Sequence, residues 1–283
     1  MDMQIRALSE KHNVKISIVD ISESFNEIAK LQETNPLASV ALGRTIINNS
    51  LLSLSLKDGN KMTTNINGMG LGGTIIAEFQ ENKVRGYIQI PNFEVDKIKD
   101  DQGSPLSQVV GKQGFLQISR DNENGVPYTS RVEIISGEIN LDFMYYIQQS
   151  DQVNSLISST VEINEDGTIK KACGIIIQLL PGFSDMDIDF IEDKVGSLDY
   201  LIKTLINTTN YESLIKDICD DAKVLGVSEL KFECTCNLEK VMSSIKMLGE
   251  EEIKKIIDEG EVVEVVCDFC KKQYNVKPNE INF

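Results

Sequence analysis

Two close pairs of cysteines near the C-terminus constrain the fold of this chain more than any other feature. The pairs are Cys234/Cys236 and Cys267/Cys270, with 30 residues between them. Two such pairs are typical of a tetrahedral zinc site with four thiolate ligands, and the two-residue spacing of the second pair is the usual one. Protein ligands would fill all four positions and leave no place for water or substrate. We therefore predict a structural metal, one Zn²⁺ per monomer; ordinary buried cysteines are the alternative.

The single residue between Cys234 and Cys236 is not explained by metal binding alone. Zinc sites commonly space paired cysteines by two to four residues. In an extended chain, Cα atoms two residues apart lie about 6.5 Å from each other, near the upper limit for a disulfide. A disulfide there is possible but strained, and therefore easily reduced. Two close pairs can become two local disulfides, so the sequence indicates a zinc site that also acts as a redox switch.

Composition limits the classes of protein to consider. The chain has 283 residues, of which 41% are hydrophobic, enough for one large domain and one or two small ones. Its net charge is −16 and it has no tryptophan, which disfavours binding to nucleic acid. Charges interrupt the first twenty residues and every apolar run, so we expect neither a signal peptide nor a membrane span. We expect a cytoplasmic protein, where paired cysteines more often serve metal or redox chemistry than permanent disulfides.

Residues 1–182 are predicted to form a mixed α/β domain with a largely antiparallel sheet. Asn35 followed by Pro36 predicts a capped helix start, and residues 141–149 form a second helical pattern. Alternating or β-branched runs joined by short turns predict strands at 14–19, 61–66, 74–79, 84–90, 115–119, 131–135 and 174–180. With the helical and metal-binding segments that follow, the predicted fold class is α+β.

Residues 183–228 are predicted to be an acidic helical linker. The stretch from 181 to 230 carries 11 acidic and 4 basic side chains. Its first part, FSDMDIDFIEDKVGS, indicates a loop or a loosely held helix start, whereas 198–206 favours a helix. Thr209 and Glu212 have the spacing of a capping box that opens another helix. Such short, negatively charged helices are marginally stable unless they dock on a neighbour.

Residues 229–283 are predicted to be a small zinc-binding domain. Asn237 can cap a helix with an apolar stripe at 238, 241, 245 and 248, which Gly249 ends. A second short helix has its stripe at 253, 256 and 257 and ends at Gly260. Residues 261–266 predict a strand leading into Cys267, with 273–276 returning beside it. Two helices and a hairpin would then bring the cysteine pairs together.

Two motif matches favour ordinary structure. The glycines of residues 68–73 match G-x-G-x-x-G, but TIIAEF follows where a dinucleotide site needs a helix, so we predict a hairpin turn. Asp185, Asp187 and Asp189 resemble the start of a calcium loop. However, Phe190 and Gly196 occupy the positions of the required glycine and glutamate, so we predict a solvated acidic linker.

The remaining candidate side chains are predicted to have structural rather than catalytic roles. His12, the one histidine, lies in a polar turn-like segment with no nucleophile near it, and we predict a surface position. Cys173 and Cys219 are isolated, and we predict packed thiols. We expect no enzymatic activity from this set of residues.

Together these stretches resemble a known family. The paired cysteines in FECTC, LGEEEIKKIIDEG and VVCDFC, together with PLASVALGRTIINNSLL, KVRGYIQIPN, VEIISGEINLDFMYYIQQSDQV and GIIIQLLPG, are similar to the redox-regulated heat-shock holdases, the bacterial 33 kDa chaperonins. The resemblance covers nearly the whole chain. It implies an N-terminal α/β domain, a metastable helical linker and a C-terminal zinc domain with Cys234, Cys236, Cys267 and Cys270 as ligands.

The resemblance also implies a mechanism. The reduced, zinc-bound form would be inactive. Oxidants would form the disulfides Cys234–Cys236 and Cys267–Cys270, release zinc and unfold the linker. The oxidised protein would dimerise and hold unfolding client proteins without ATP. The chain departs from the family in carrying Cys173 and Cys219 and in a rather short linker around 207–230.

Two other functions compete with the chaperone. A thiol–disulfide oxidoreductase would turn over a small disulfide at Cys267/Cys270, although only 13 residues follow that pair and no βαβ unit surrounds it. A static zinc-stabilised adaptor would bind its partner equally in both redox states.

Overall fold

The structure is a computed structural model, and it describes residues 1–56, 59–121 and 125–281. The strands are β1 (Met3–Ser9), β2 (Val14–Asp20), β3 (Lys61–Asn67), β4 (Ile75–Gln80), β5 (Lys83–Ile88), β6 (Phe115–Arg120), β7 (Tyr128–Glu133), β8 (Ser155–Ile163), β9 (Ile169–Leu179), β10 (Lys223–Glu229), β11 (Lys231–Phe232), β12 (Val263–Val266) and β13 (Gln273–Val276). The α-helices are α1 (Ser22–Gln32), α2 (Pro36–Ser53), α3 (Pro105–Val110), α4 (Asn140–Tyr146), α5 (Asp185–Val195), α6 (Leu198–Asn207), α7 (Tyr211–Ile218), α8 (Leu238–Lys246) and α9 (Glu250–Glu259). Short 3₁₀ turns occupy Val95–Lys97 and Pro278–Glu280, and α4 continues as a π-helical turn over Ile147–Asp151.

The chain forms two compact units, Met1–Phe232 and Glu233–Phe283. The first unit contains two sheets. Sheet A has the strand order β10-β1-β2-β9-β8, and sheet B has the order β11-β5-β4-β3-β6-β7. Their pairings are antiparallel except for that of β11 with β5. The predicted mixed fold with a largely antiparallel sheet is confirmed.

Helix α2 lies between the two sheets and is the centre of the larger core. Asn35 caps it as predicted, because its side chain accepts a hydrogen bond from the Ala38 N–H, and Pro36 occupies the first turn. The helix contacts strands of both sheets, and nearly all of its residues are buried. At Gly43 a Cβ atom would lie 2.5 Å from Val161 and 2.7 Å from Phe25, so the packing requires glycine.

Strand β9 shows how sheet A is covered on both faces. Ala172 and Ile176 pack in the core with α1 and α2, whereas Cys173, Ile175 and Ile177 pack in a second apolar cluster with α5, α6 and α7. Side chains of a strand alternate between faces, so one strand can serve two cores. Helices α5–α7 therefore dock on the outer face of sheet A, and residues 183–232 belong to the first compact unit. The functional division at 182 and 228 stays a prediction.

The structure refines the predicted linker. FSDMDIDFIEDKVGS contains a regular helix, α5, whose Ile191 and Val195 are buried. The cap of α7 is Asn210, one residue after the predicted Thr209, because the Asn210 side chain accepts from the Ser213 N–H. The last residues of the segment form β10, which pairs with β1; the helical pattern did not predict this strand.

The second unit has the predicted parts. Helices α8 and α9 and the β12–β13 hairpin surround a small apolar cluster that includes Val241, Ile245, Ile253, Tyr274 and Val276. Asn237 caps α8 by accepting from the Lys240 N–H, and Gly260 ends α9 in a left-handed conformation. The predicted stripe of α8 is buried only at its centre, because Leu238 and Leu248 are half exposed.

The predicted hairpin at residues 68–73 is confirmed, since β4 rather than a helix follows the glycines. A Cβ atom at Gly68 or Gly70 would lie 2.3 Å from backbone oxygens of Val110 or Val109, so these glycines serve close backbone packing. Within the described residues, no helix combines the length and the apolar character needed to cross a membrane.

Candidate metal centre

Cys267 and Cys270 are positioned by the β12–β13 hairpin. Cys267 directly follows β12, and its N–H donates to the Lys272 carbonyl at 2.9 Å while its own carbonyl accepts from the Lys271 N–H at 2.8 Å. Lys271 completes the turn with a left-handed backbone (φ 57°). The closed turn brings the two thiols to the same side.

Cys234 and Cys236 lie in the irregular segment that precedes α8. Thr235, between them, is held at its carbonyl and its hydroxyl by the Lys240 ammonium, at 2.8 and 3.0 Å. In an extended stretch, alternate side chains point to the same side. A single intervening residue therefore suits an extended ligand segment, as two intervening residues suit the turn at Cys267.

The four cysteine sulfurs lie within 4.8 Å of one another. The Cys234 and Cys267 sulfurs are 3.7 Å apart, and those of Cys236 and Cys270 are 3.4 Å apart. Four sulfurs around Zn²⁺ at about 2.3 Å would be separated by about 3.8 Å. The sulfur cage is close to that size, and its donors are the thiols that zinc prefers, so these residues fit a tetrahedral metal ion.

The electrostatics of the sulfurs are unequal. Burial raises the pKa of Cys236, but hydrogen bonds from Tyr274 and the neighbouring thiols outweigh it and lower the pKa to about 7. Burial raises the pKa of Cys267 and of Cys270. Of these three thiols, Cys236 therefore loses its proton most readily.

Tyr274 is a member of this site that the sequence patterns did not identify. Its hydroxyl lies 3.1 Å from the Cys236 sulfur, and this hydrogen bond raises the pKa of the phenol to about 12. Its ring packs in the small core of the second unit. The available signal was its position on the returning strand, four residues after Cys270, where a predicted inward-facing aromatic residue would approach the sulfurs.

Cys173 and Cys219 lie apart from the metal centre, in the first unit. Both are fully buried in the cluster between sheet A and α5–α7, which agrees with the predicted packed thiols. Burial raises the pKa of Cys173 to about 12 and that of Cys219 to about 11. Both therefore remain thiols at neutral pH, and thiols react far more slowly than thiolates.

His12 lies in the β1–β2 turn, as predicted, but the prediction of a surface side chain is wrong. Its ring stacks on Phe190 of α5 with centroids 3.6 Å apart, and its side chain is 14% exposed. His12, Asp220 and Asp221 also lie within metal-ligand reach of one another. The Asp221 carboxylate, however, already accepts hydrogen bonds from the Ser9 hydroxyl and the Lys11 N–H.

Comparison with known proteins identifies relatives along the entire chain. The family model described as Hsp33 protein matches residues 2–277. The 33 kDa chaperonin of Clostridium perfringens is 32% identical over 284 residues, covering 99% of this chain and 90% of the relative. That of Lactobacillus johnsonii is 31% identical, covering 99% and 97%.

A solved structure is also similar. The crystal structure of the 33 kDa chaperonin from Thermotoga maritima, titled a heat shock protein 33 homolog, superposes with a TM-score of 0.86 at 28% identity. The match covers 99% of this chain and 96% of that chain.

Proposed function

This chain belongs to the Hsp33 family of 33 kDa chaperonins and is a chaperone of that family, and from that premise we propose that it is a holdase switched on by oxidation. In this proposal the reduced protein binds one zinc ion and is inactive. The oxidised protein binds unfolding clients without ATP and prevents their aggregation under oxidative stress.

The observation that carries the proposal is the sulfur cage in a unit with only one small apolar cluster. The second unit has few buried apolar side chains, and segments of this size usually need a metal or disulfides. Bound zinc would hold Cys234, Cys236, Cys267 and Cys270 as thiolates and supply on the order of 10 kcal/mol of apparent folding free energy.

Oxidation would remove that support. Cys234 would pair with Cys236 and Cys267 with Cys270, each pair of thiolates giving two electrons to one hydrogen peroxide molecule, which takes up two protons from solvent and becomes two waters. Sulfurs tied in disulfides cannot remain thiolate ligands, so the ion would leave and the second unit would melt.

The acidic segment 183–228 would transmit this change. Its chain continues through β10 and β11 directly into the cysteine segment. Helices α5–α7 are short, and their buried apolar side chains depend on docking against sheet A. We propose that residues 1–182 remain folded, 183–228 undock, and 229–283 form the switch. Undocking would expose apolar surface on both sheet A and the helices, the surface that an unfolding client needs.

The oxidised protein would form a homodimer and bind unfolding proteins. Nucleic acids and membranes would not be its partners. The protein would act in the cytoplasm, and it would have no enzymatic turnover.

An aggregation assay on the reduced zinc form and the peroxide-treated form tests this function. A chemically unfolded client enzyme is diluted into buffer, and light scattering is followed with each form. Oxidised protein should suppress scattering, reduced protein should not, and dithiothreitol should reverse the effect. Zinc release should match activation at one ion per monomer, and X-ray absorption of the reduced form should show only sulfur ligands.

Matched variants sharpen the assay. Cys173→Ala and Cys219→Ala should retain the switch, because neither residue lies in the sulfur cage, whereas Cys236→Ala should lose zinc. Equal protection by both redox forms would favour a static adaptor and contradict the switch. Catalytic reduction of a small disulfide at Cys267/Cys270 would instead identify an oxidoreductase.

A further inference from the structure

Tyr274 makes the environment of Cys236 different from an all-sulfur site. The phenol hydroxyl lies 3.1 Å from the Cys236 sulfur, within reach of an O–H···S hydrogen bond. Tyr274 is 9% exposed, and its ring is fixed among Val241, Ile245 and Val276. Because the ring is fixed by packing, the hydroxyl is held towards the sulfur by the fold.

A neighbouring cation strengthens this donor. The Lys272 ammonium lies over the Tyr274 ring, 5.1 Å from its centroid. A cation at a ring face is attracted by the π electrons and withdraws electron density from the hydroxyl, which makes the O–H a better donor. Lys272 is exposed, so its side chain can be changed without disturbing the core.

A phenol that donates to a thiolate has two effects. A charge-assisted hydrogen bond stabilises the negative sulfur and fixes its position as a ligand, and outer hydrogen bonds of this kind commonly change metal affinity by 10–100-fold. The same bond removes electron density that the sulfur needs to attack an oxidant. A bonded thiolate therefore holds metal more tightly and reacts with peroxide more slowly.

We propose that Tyr274 is a positioning residue of the redox switch, whose hydroxyl tightens the hold of Cys236 on the metal and delays the oxidation of that sulfur. This inference rests on the proposed function, in which the quartet binds zinc and is oxidised. It adds a residue that sets the threshold of the switch.

The step that Tyr274 delays is the attack of Cys236 on hydrogen peroxide. The thiolate sulfur bonds to one oxygen, the O–O bond breaks, and hydroxide leaves and takes up a proton to become water. The sulfur is oxidised to a sulfenic acid. The Cys234 thiolate then bonds to the Cys236 sulfur and displaces the hydroxyl as hydroxide, which takes up a proton from solvent to become water. The Tyr274 hydrogen bond slows the first of these steps.

The test compares wild type with Tyr274→Phe, which keeps the ring and removes the hydroxyl. Zinc affinity, measured by competition with a chromophoric chelator, should fall about tenfold. Peroxide oxidation of Cys236, followed by mass spectrometry of the labelled peptide, should become several-fold faster. In Co²⁺-substituted protein, the sulfur-to-cobalt charge-transfer band should move to lower energy, because the thiolate without its hydrogen bond is a better electron donor.

Two further variants make the result decisive. Lys272→Gln should move all three quantities in the same direction by a smaller amount, whereas Tyr200→Phe, at an exposed tyrosine of α6, should move none. A purely structural role of Tyr274 could weaken zinc binding but would leave the charge-transfer energy unchanged. Unchanged band energy and oxidation rate in Tyr274→Phe would overturn the inference. Wild-type protein that holds no zinc would overturn the proposed function itself.

Discussion

At the scale of single residues, Asp20 joins distant parts of the first unit. Its carboxylate accepts hydrogen bonds from Lys171 at 2.7 Å, from Ser22 at 2.6 Å and from the Tyr211 hydroxyl at 2.6 Å. Burial raises the pKa of Asp20, but these hydrogen bonds outweigh it and lower the pKa below its ordinary value. Tyr211 begins α7, so this carboxylate ties a helix of the acidic segment to the end of β2.

Tyr211→Phe should weaken that tie. The ring remains buried, but Asp20 loses one of its three donors, and a hydrogen bond to a charged group contributes about 1.5–3 kcal/mol. We expect the free energy of unfolding of the reduced protein, measured by urea denaturation, to fall by that amount. Hydrogen exchange in α7 should become faster, and the zinc content should not change. Tyr200→Phe is the matched control, because Tyr200 is 66% exposed. Equal stability of the two variants would contradict a role for the Tyr211–Asp20 hydrogen bond.

Acid should loosen the same contact. The pKa of Asp20 in the folded protein is depressed. The stability that the Asp20 carboxylate contributes is therefore fully present above the pKa of an unfolded aspartate, about 4, and is lost as the pH falls through the lower folded pKa. We expect protection of α7 in the reduced protein to be constant from pH 7 to about pH 5 and to decline below about pH 4.

Asp20→Asn identifies the responsible group. This variant should be less stable at neutral pH. The protection of α7 should also depend less on pH, because the part of that dependence that Asp20 supplies is lost. Asp193→Asn, at an exposed position of α5, should keep the wild-type slope. A slope that survives in Asp20→Asn would assign the effect to other carboxylates.

At the scale of elements, the start of helix α8 is tied to the first cysteine pair. Asn237 follows Cys236 directly and caps the helix by accepting from the Lys240 N–H at 2.9 Å. Lys240, in the first turn of α8, holds Thr235 between the first two cysteines. The start of the helix and the geometry of the first cysteine pair are therefore stabilised together.

Asn237→Ala should weaken metal binding through folding. Loss of a side-chain cap costs about 1 kcal/mol, and in a unit that folds with its metal this lowers apparent zinc affinity about fivefold. Chelator competition measures the change. Asn237→Asp keeps a capping oxygen and should retain near wild-type affinity. An unchanged affinity in Asn237→Ala would show that α8 does not fold together with the metal centre.

At the scale of the whole molecule, the two compact units differ in what stabilises them. The first has two large apolar clusters, which include fully buried side chains such as Phe25, Phe143 and Tyr146. The second has one small cluster and four thiols. A large core does not need a metal, whereas a small one usually does.

Removing zinc with a chelator under reducing conditions should unfold the chain from its C-terminal end. Hydrogen exchange should show protection lost first at 232–276 and next at 185–225, with β5 and β9 still protected. Zinc-loaded protein in the same buffer is the control, and it separates loss of metal from oxidation. Uniform loss along the chain, or full protection in the second unit, would show that metal binding does not stabilise that unit.

The sequence by itself determined the features that depend on neighbouring residues. Asn35 and Asn237 cap their helices, Gly260 ends α9, and β12 and β13 form the predicted hairpin, because caps, turns and alternation involve residues only a few positions apart. The four cysteines that approach one another were also identifiable, because their paired spacing is specific to metal sites.

The tertiary structure alone decided which surfaces those elements share. The docking of α5–α7 on sheet A, the pairing of β10 with β1, the stacking of His12 on Phe190 and the Tyr211–Asp20 hydrogen bond join residues far apart in the chain. Local patterns show that a helix has an apolar face, but the partner of that face depends on which strands are already paired and which face of the sheet is uncovered. Tyr274 reaches Cys236 for the same reason: the hairpin and α8 must first pack together before the phenol and the sulfur can meet.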